Sequence, residues 1–286
     1  MDFSFKEDSQ MRKLVLFLIT ALLLCGCGSN ASSSAAPASS AEETQTLRVG
    51  MECNYAPFNW TTTTETETSQ PISSTSYCDG YDVVIATRLA EGSGMNVQVV
   101  PYDWDGLIPA LKNGEIDAII AGMTPTEERM EVIDFTEPYY ESEEVIVVRG
   151  DSELTSITSI SELSGFTIKG QLSTIYDEVI DQAEGAVHGT PLDNVPALIN
   201  DLQHGGCDAV VVELPVANGI VSANPDLAVV RFAEGSGFTA DTRVSVGIAK
   251  ENSELLNALQ NVLNGISESE RQELMAAAIE RQPAGE

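Results

Sequence analysis

Residues 103–140, DWDGLIPALKNGEIDAIIAGMTPTEERMEVIDFTEPYY, constrain the fold more than any other stretch. They read as a helix, a buried strand, a small-residue turn and a second helix. Asp117-Ala-Ile-Ile-Ala121 is a short apolar run of the kind buried on both faces of a parallel sheet. The turn is Gly122-Met123-Thr124. Thr124-Pro125-Thr126-Glu127 then marks a helix start, with a capping hydroxyl, a proline at the first helical position and a glutamate at the third. Thr124 and Thr126 compete for the cap. In either register, free backbone N–H groups, a hydroxyl and Arg129 converge at the carboxyl end of one strand, where a carboxylate belongs.

The flanking chain extends this pattern. Residues 47–51 predict a strand, followed by a proline-held loop over residues 52–58. Residues 61–79 are polar and rich in Thr and Ser, and read as an exposed insertion. Gly80-Tyr81-Asp82 opens a helix whose apolar face is Val83, Ile85, Ala86, Leu89 and Ala90, ended by Gly92-Ser-Gly94. A strand at 97–100 and a helix at 106–112, capped by Asp105, complete a β-α-β-α-β order, the pattern of an open parallel sheet. A second set follows: strands at 145–148, 166–168 and 207–212, with helices from about 175 and over 195–202, and another helix after Glu213-Leu-Pro215. A strand at 244–249 and two amphipathic helices, 255–266 and 268–279, close the chain. The first and last thirds form one lobe and the middle another.

Residues 1–26 read as a signal peptide. Met11-Arg-Lys precedes the apolar run 14–24, which is too short to span a bilayer, so Met11 is the expected true start. The run ends in Leu24-Cys25-Gly26-Cys27, similar to a bacterial lipobox, with Cys27 as the lipidated residue because small Gly26 precedes it. Residues 27–46 are a lipidated cysteine and a Ser/Ala-rich flexible linker. The protein is therefore expected to be exported and held by acyl chains at the outer face of the cell membrane or in the periplasm. It carries 44 acidic against 14 basic residues, a net charge of −30, which disfavours nucleic acid and anionic lipid as partners. In an oxidising exterior Cys53 and Cys78 can bridge around the Thr-rich insertion; otherwise they are buried thiols.

The motifs Gly80-Tyr-Asp82, Asp103-Trp-Asp-Gly-Leu-Ile-Pro-Ala-Leu111, Ala121-Gly-Met-Thr-Pro-Thr-Glu-Glu-Arg129 and Asp134-Phe-Thr-Glu-Pro-Tyr-Tyr140 resemble, in order and spacing, those of bacterial extracellular solute-binding proteins of family 3, the amino-acid receptors of ABC importers. The resemblance implies an α/β, two-lobed, periplasmic-binding-protein-like fold of type II. Each lobe has a mainly parallel sheet flanked by helices. Two crossover strands, near 140–145 and 236–243, join lobe 1 (47–143 and 242–286) to lobe 2 (144–241). Three positions depart from the family pattern. Val84 stands where an acid is usual, Ser173 where glycine is usual, and Glu213 where aspartate is usual.

A free amino acid presents a carboxylate and an ammonium on one carbon, and a dry cleft must replace the water on both. The resemblance implies that Arg129 and Thr124 take the carboxylate, with Thr174 and the N–H groups near Ile175 approaching from the other lobe. Glu213 and the Gly122 carbonyl take the ammonium; Glu213 could instead cap the helix near Pro215. Tyr55 and Trp104 wall the side-chain slot, and Glu52 and Gln171 line its floor. The expected ligand is polar, with a cationic side chain if Glu52 decides and an amide if Gln171 does. The expected partners are that ligand and membrane permease subunits, with the chain a monomer. No cofactor is implied. His204-Gly-Gly-Cys207 has metal-like spacing without further ligands nearby, and reads as a turn. Two other readings share the residues: a dehydratase on cyclic amino-acid precursors, with Glu213 or Glu52 as general acid, and a ligand-sensing module.

Overall fold

The computed structural model describes residues 44–283; the expected signal segment, Met11, Cys27 and most of the linker lie outside the described residues. The first described strand, β1 (Thr46–Met51), already includes Thr46, which pairs with Asn96, so the linker ends one residue earlier than expected. β2 (Asn54–Tyr55), β3 (Asn59–Thr62), β4 (Gln70–Pro71) and β5 (Tyr77–Asp79) make a small antiparallel sheet in the order β2-β3-β5-β4. The segment read as an exposed insertion thus has a folded root. Cys78 and Asp79 are buried there, and Cys53 is bonded to Cys78 with their Cα atoms 5.7 Å apart.

Helix α1 (Tyr81–Gly92) starts where Gly80 turns the backbone at a φ of 137°. A Cβ there would sit 2.2 Å from the Phe58 carbonyl oxygen, so only glycine fits. β6 (Asn96–Pro101), α2 (Leu107–Lys112), β7 (Ala118–Ile119), α3 (Glu127–Val132) and β8 (Ile133–Phe135) follow. Asp105 does not cap α2. It lies inside a short 3-10 turn, Trp104–Gly106, and Gly106 holds the cap position.

The middle of the chain builds a second sheet from β9 (Glu144–Arg149), β10 (Thr167–Lys169), α4 (Ile175–Glu178), β11 (Val187–His188), α5 (Val195–Gln203), β12 (Ala209–Glu213), α6 (Leu214–Ala223) and β13 (Leu227–Val230). Its order is β11-β10-β12-β9-β13, with β10 parallel to β11 and β12, and β9 antiparallel to β12 and β13. Val145 and Val147 point into one apolar cluster and Ile146 and Val148 into the other, so both faces of β9 are buried. β14 (Gly247–Ala249), α7 (Ser253–Leu263) and α8 (Glu268–Arg281) return to the first sheet. That sheet runs β6-β1-β7-β14-β8: β1 is parallel to β6 and β7, and β14 is antiparallel to β7 and β8. The two passages between the sheets lie side by side. Tyr140 bridges Val244, and Thr242 Oγ1 donates to the Ser142 carbonyl. No helix among the described residues is long and apolar enough to cross a membrane.

Candidate functional site

Three strand ends and two short helix starts meet between the sheets. β1 delivers Glu52 and, through the next turn, Tyr55; β7 delivers Ala121, Gly122 and Thr124; β10 leads to Gln171 and then to α4, with Thr174, Ile175 and Tyr176 at its start. Ligands of open α/β sheets gather at such carboxyl ends. A cavity enclosing about 300 Å³ of non-atom space, part of it open to solvent, is lined by these residues together with Trp104 and Arg129. Nine of the ten residues expected from the sequence line it: Glu52, Tyr55, Trp104, Gly122, Thr124, Arg129, Gln171, Thr174 and Ile175. The tenth, Glu213, sits behind the wall. It is 0 % exposed, and its Oε1 accepts from the Tyr55 hydroxyl at 2.5 Å.

Arg129 lies in the first turn of α3. Thr126, not Thr124, caps this helix, its Oγ1 accepting from the Arg129 N–H; Thr124 is only 3 % exposed and is drawn to the cavity instead. The guanidinium donates from Nη1 to the Thr124 carbonyl at 2.8 Å and from Nη2 to the Ser173 carbonyl at 3.0 Å, and stacks 5.1 Å over the Trp104 ring. Burial lowers its pKa from the ordinary arginine value. No carboxylate pairs with it among the described residues.

Glu213 and Glu52 are both buried beside the cavity. Burial pushes Glu213 up to about 8, against the stabilising hydrogen bond from Tyr55. Its Oε2 is buried and has no hydrogen-bond partner among the described residues. The cap alternative for Glu213 finds no support, because it occupies the cap position of α6 without a side-chain bond to the helix. Glu52 is 9 % exposed; burial pushes it up to about 7, partly offset by the Gln171 amide, which donates to Oε1 at 3.0 Å. Gly122 has a φ of 61°, and a Cβ there would lie 3.1 Å from the Tyr55 ring and 3.9 Å from Glu213 Oε1, so the missing side chain leaves the backbone close to both. Thr174 Oγ1 turns back to the Gln171 carbonyl.

Ala121, Tyr176 and the Ser173 carbonyl are additions to the expected set. Tyr176 adjoins two expected residues at the start of α4. The Ser173 carbonyl accepts from both Trp104 Nε1 at 3.0 Å and Arg129 Nη2. A backbone group leaves no mark in residue type, although the glycine usual at that position in the family matches the positive φ, 60°, that Ser173 adopts. His204 bonds its own helix backbone, and no cluster of metal-binding side chains occurs among the described residues.

Two α/β lobes, a double passage between them and a cavity faced by an arginine on one side and backed by a carboxyl group on the other make the frame of a two-lobed binding protein. Residues 47–278 match the bacterial extracellular solute-binding proteins, family 3, and the chain belongs to that family. It is 32% identical over 188 residues to a probable histidine-binding protein of Campylobacter jejuni, covering 65% of this chain and 67% of that one. Among solved structures it is similar to an amino acid ABC transporter substrate-binding protein from Streptococcus pneumoniae bound to L-arginine. That match has a TM-score of 0.71 and 27% identity, covering 82% of this chain and 94% of the other. An ancestral arginine-binding protein bound to glutamine is also similar, with a TM-score of 0.68 and 31% identity, covering 81% and 96%. The chain is accordingly a substrate-binding component of an amino-acid ABC transporter.

Proposed function

We propose that this chain captures a free basic L-amino acid between its lobes and hands it to a membrane permease. The observation that carries the reading is a guanidinium without a carboxylate beside a buried carboxyl group with a free oxygen. Among the described residues, the Arg129 guanidinium donates only to carbonyls, and Glu213 has one buried oxygen without a hydrogen-bond partner. The ligand carboxylate takes the planar guanidinium, helped by Thr124 and by the N–H groups at the start of α4. The ammonium goes to Glu213 and the Gly122 carbonyl. Glu52, at the cavity wall with a single amide donor, receives a cationic side chain between Tyr55 and Trp104. The arginine and histidine named for similar proteins agree with this choice.

Calorimetry of the purified chain against the twenty L-amino acids is expected to give tightest binding for arginine, with histidine and lysine weaker. Tightest binding of an acidic or aliphatic amino acid refutes the side-chain assignment, and no binding at all refutes the site. Export and attachment through Cys27 complete the proposal. Mass spectrometry of the membrane-extracted protein is expected to find acyl chains on Cys27 as the first residue, and an unmodified amino terminus there would count against the anchor.

A further inference from the structure

Three residues that do not line the cavity tie together the two loops of the first lobe that do. The Cys53 N–H donates to Asn59 Oδ1 at 2.7 Å, and Asn59 Nδ2 donates to Asp82 Oδ2 at 2.8 Å. From the other side, the Gly122 N–H donates to Tyr139 Oη at 2.9 Å, and Tyr139 Oη donates to Asp82 Oδ1 at 2.7 Å. Asn59, Asp82 and Tyr139 are each 0 % exposed.

Every direction in this chain is forced. A backbone N–H can only donate, so Asn59 turns its carbonyl to Cys53 and its amide hydrogens to Asp82. The Tyr139 oxygen receives Gly122, so its own hydrogen goes to Asp82. Both Asp82 oxygens therefore accept, the arrangement that suits a carboxylate best; burial pushes Asp82 up to about 7, and the hydrogen bonds from Tyr139 and Asn59 hold it below where burial alone would take it. Both ends of the chain are left-handed turns: φ is 55° at Cys53 and 61° at Gly122. Cys53 holds that conformation without the freedom of glycine, and such a turn persists only where its surroundings over-determine it. Each turn carries cavity groups, Glu52 and Tyr55 beside Cys53, and Thr124 beside Gly122.

We propose that Asp82, with Asn59 and Tyr139, is a positioning unit that locks these two loops into one relative geometry and thereby sets affinity for a solute it never touches. The proposal rests on the amino-acid reading above. A network that served folding alone could end on any buried groups. This one ends on the backbone of two turns that carry cavity-lining residues.

The test uses the whole mature chain, with L-arginine titrated by calorimetry well below the melting temperature. In Asp82→Asn, either two amide NH₂ groups face each other across the Asn59 link or the Tyr139 hydrogen loses its acceptor. One link breaks while the shape is kept. Affinity is expected to fall about tenfold or more, the equivalent of one buried hydrogen bond or somewhat more. The double variant Asn59→Asp/Asp82→Asn restores all four links with the charge moved one side chain along. The carboxylate introduced at position 59 accepts from the Cys53 N–H and from the amide introduced at position 82, and the carbonyl of that amide accepts from Tyr139. Its affinity is expected to return to within about threefold of wild type, a difference under about 1 kcal/mol.

A folded Asp82→Asn that binds as tightly as wild type overturns the proposal, even if it melts earlier, because only a structural role would then remain. If that single variant does not fold, the double variant decides. Folded and binding, it supports the unit; unfolded, or folded without recovering affinity, it overturns it. A wild-type chain that binds none of the twenty amino acids defeats the amino-acid reading itself and this proposal with it.

Discussion

Among the described residues, Arg129 is a cation tied only to neutral groups, the Thr124 and Ser173 carbonyls and the Trp104 ring. Replacing it by alanine removes no ion pair from the fold, so stability is expected to change little. Ligand affinity, measured by calorimetry, is expected to drop by about 2–5 kcal/mol, because a buried ligand carboxylate is left without its partner; an unchanged dissociation constant contradicts the role given to Arg129. Glu213 gives a second prediction, with its sign fixed by burial. An ordinary glutamate titrates near 4.5, whereas burial raises Glu213 to about 8 in the folded chain. Between those values the folded chain holds a proton that the unfolded chain has lost. Its contribution to stability is therefore fully present below about 4.5 and is lost as pH rises toward about 8. Glu213→Gln is expected to flatten this part of the melting-temperature profile of the ligand-free protein, and a profile as steep as wild type counts against the assignment. An ammonium beside Glu213 favours its ionised form, so binding is expected to release protons over the same window. Arg129 is legible in the sequence because a capped helix start and a family motif surround it. The shielding of Glu213 by Tyr55 is not, since it depends on how closely two lobes distant in sequence approach.

At the scale of elements, residues 61–77 are exposed or half-buried as their composition reads, and only the root of the insertion, Cys78 and Asp79, is buried. The Thr and Ser residues of the insertion read as solvated, yet Thr66 and Thr68 donate to both oxygens of buried Asp79, and Thr61 donates to the Cys53 carbonyl. Hydroxyls that look solvent-facing one by one satisfy a buried carboxylate when pairing brings them round, and pairing is a long-range property. α1, by contrast, is readable nearly to the residue, because Gly80 and the apolar spacing from Val83 to Ala90 are local signals. The start of α3 falls between: Thr124 and Thr126 are equivalent in sequence, and burial of Thr124 at the cavity decides for Thr126. The bridge between Cys53 and Cys78 spans a sequence separation of 25 and holds β5 beneath the Glu52–Tyr55 loop. Replacing both cysteines by alanine is expected to lower the unfolding free energy by roughly 3 kcal/mol on the loop-entropy account, measured by denaturant titration under oxidising conditions. A loss below about 1 kcal/mol would mean that the sheet is held by its other contacts.

For the molecule as a whole, a few side chains hydrogen-bond across the cleft: Trp104 and Arg129 to Ser173, Gln171 to Glu52, and Tyr55 to Glu213. The two passages between the lobes run side by side at Tyr140 and Val244, and rotation about such short passages is the general way two-lobed proteins close. Of the two tryptophans, Trp60 is buried at 5 % exposure within one lobe and Trp104 faces the other lobe. Arginine is therefore expected to shift the intrinsic fluorescence of the wild type and to leave that of Trp104→Phe unshifted. A shift that survives the substitution would place the moving contact elsewhere.

The first sheet also has an assembly order written into it. β14 lies between β7 and β8, so β8 joins the sheet from which Arg129 is presented only when one of the last segments to be synthesised is in place, whereas the second sheet is complete in strands once residue 230 exists. A chain threaded amino end first through a translocation pore thus finishes its middle before its beginning.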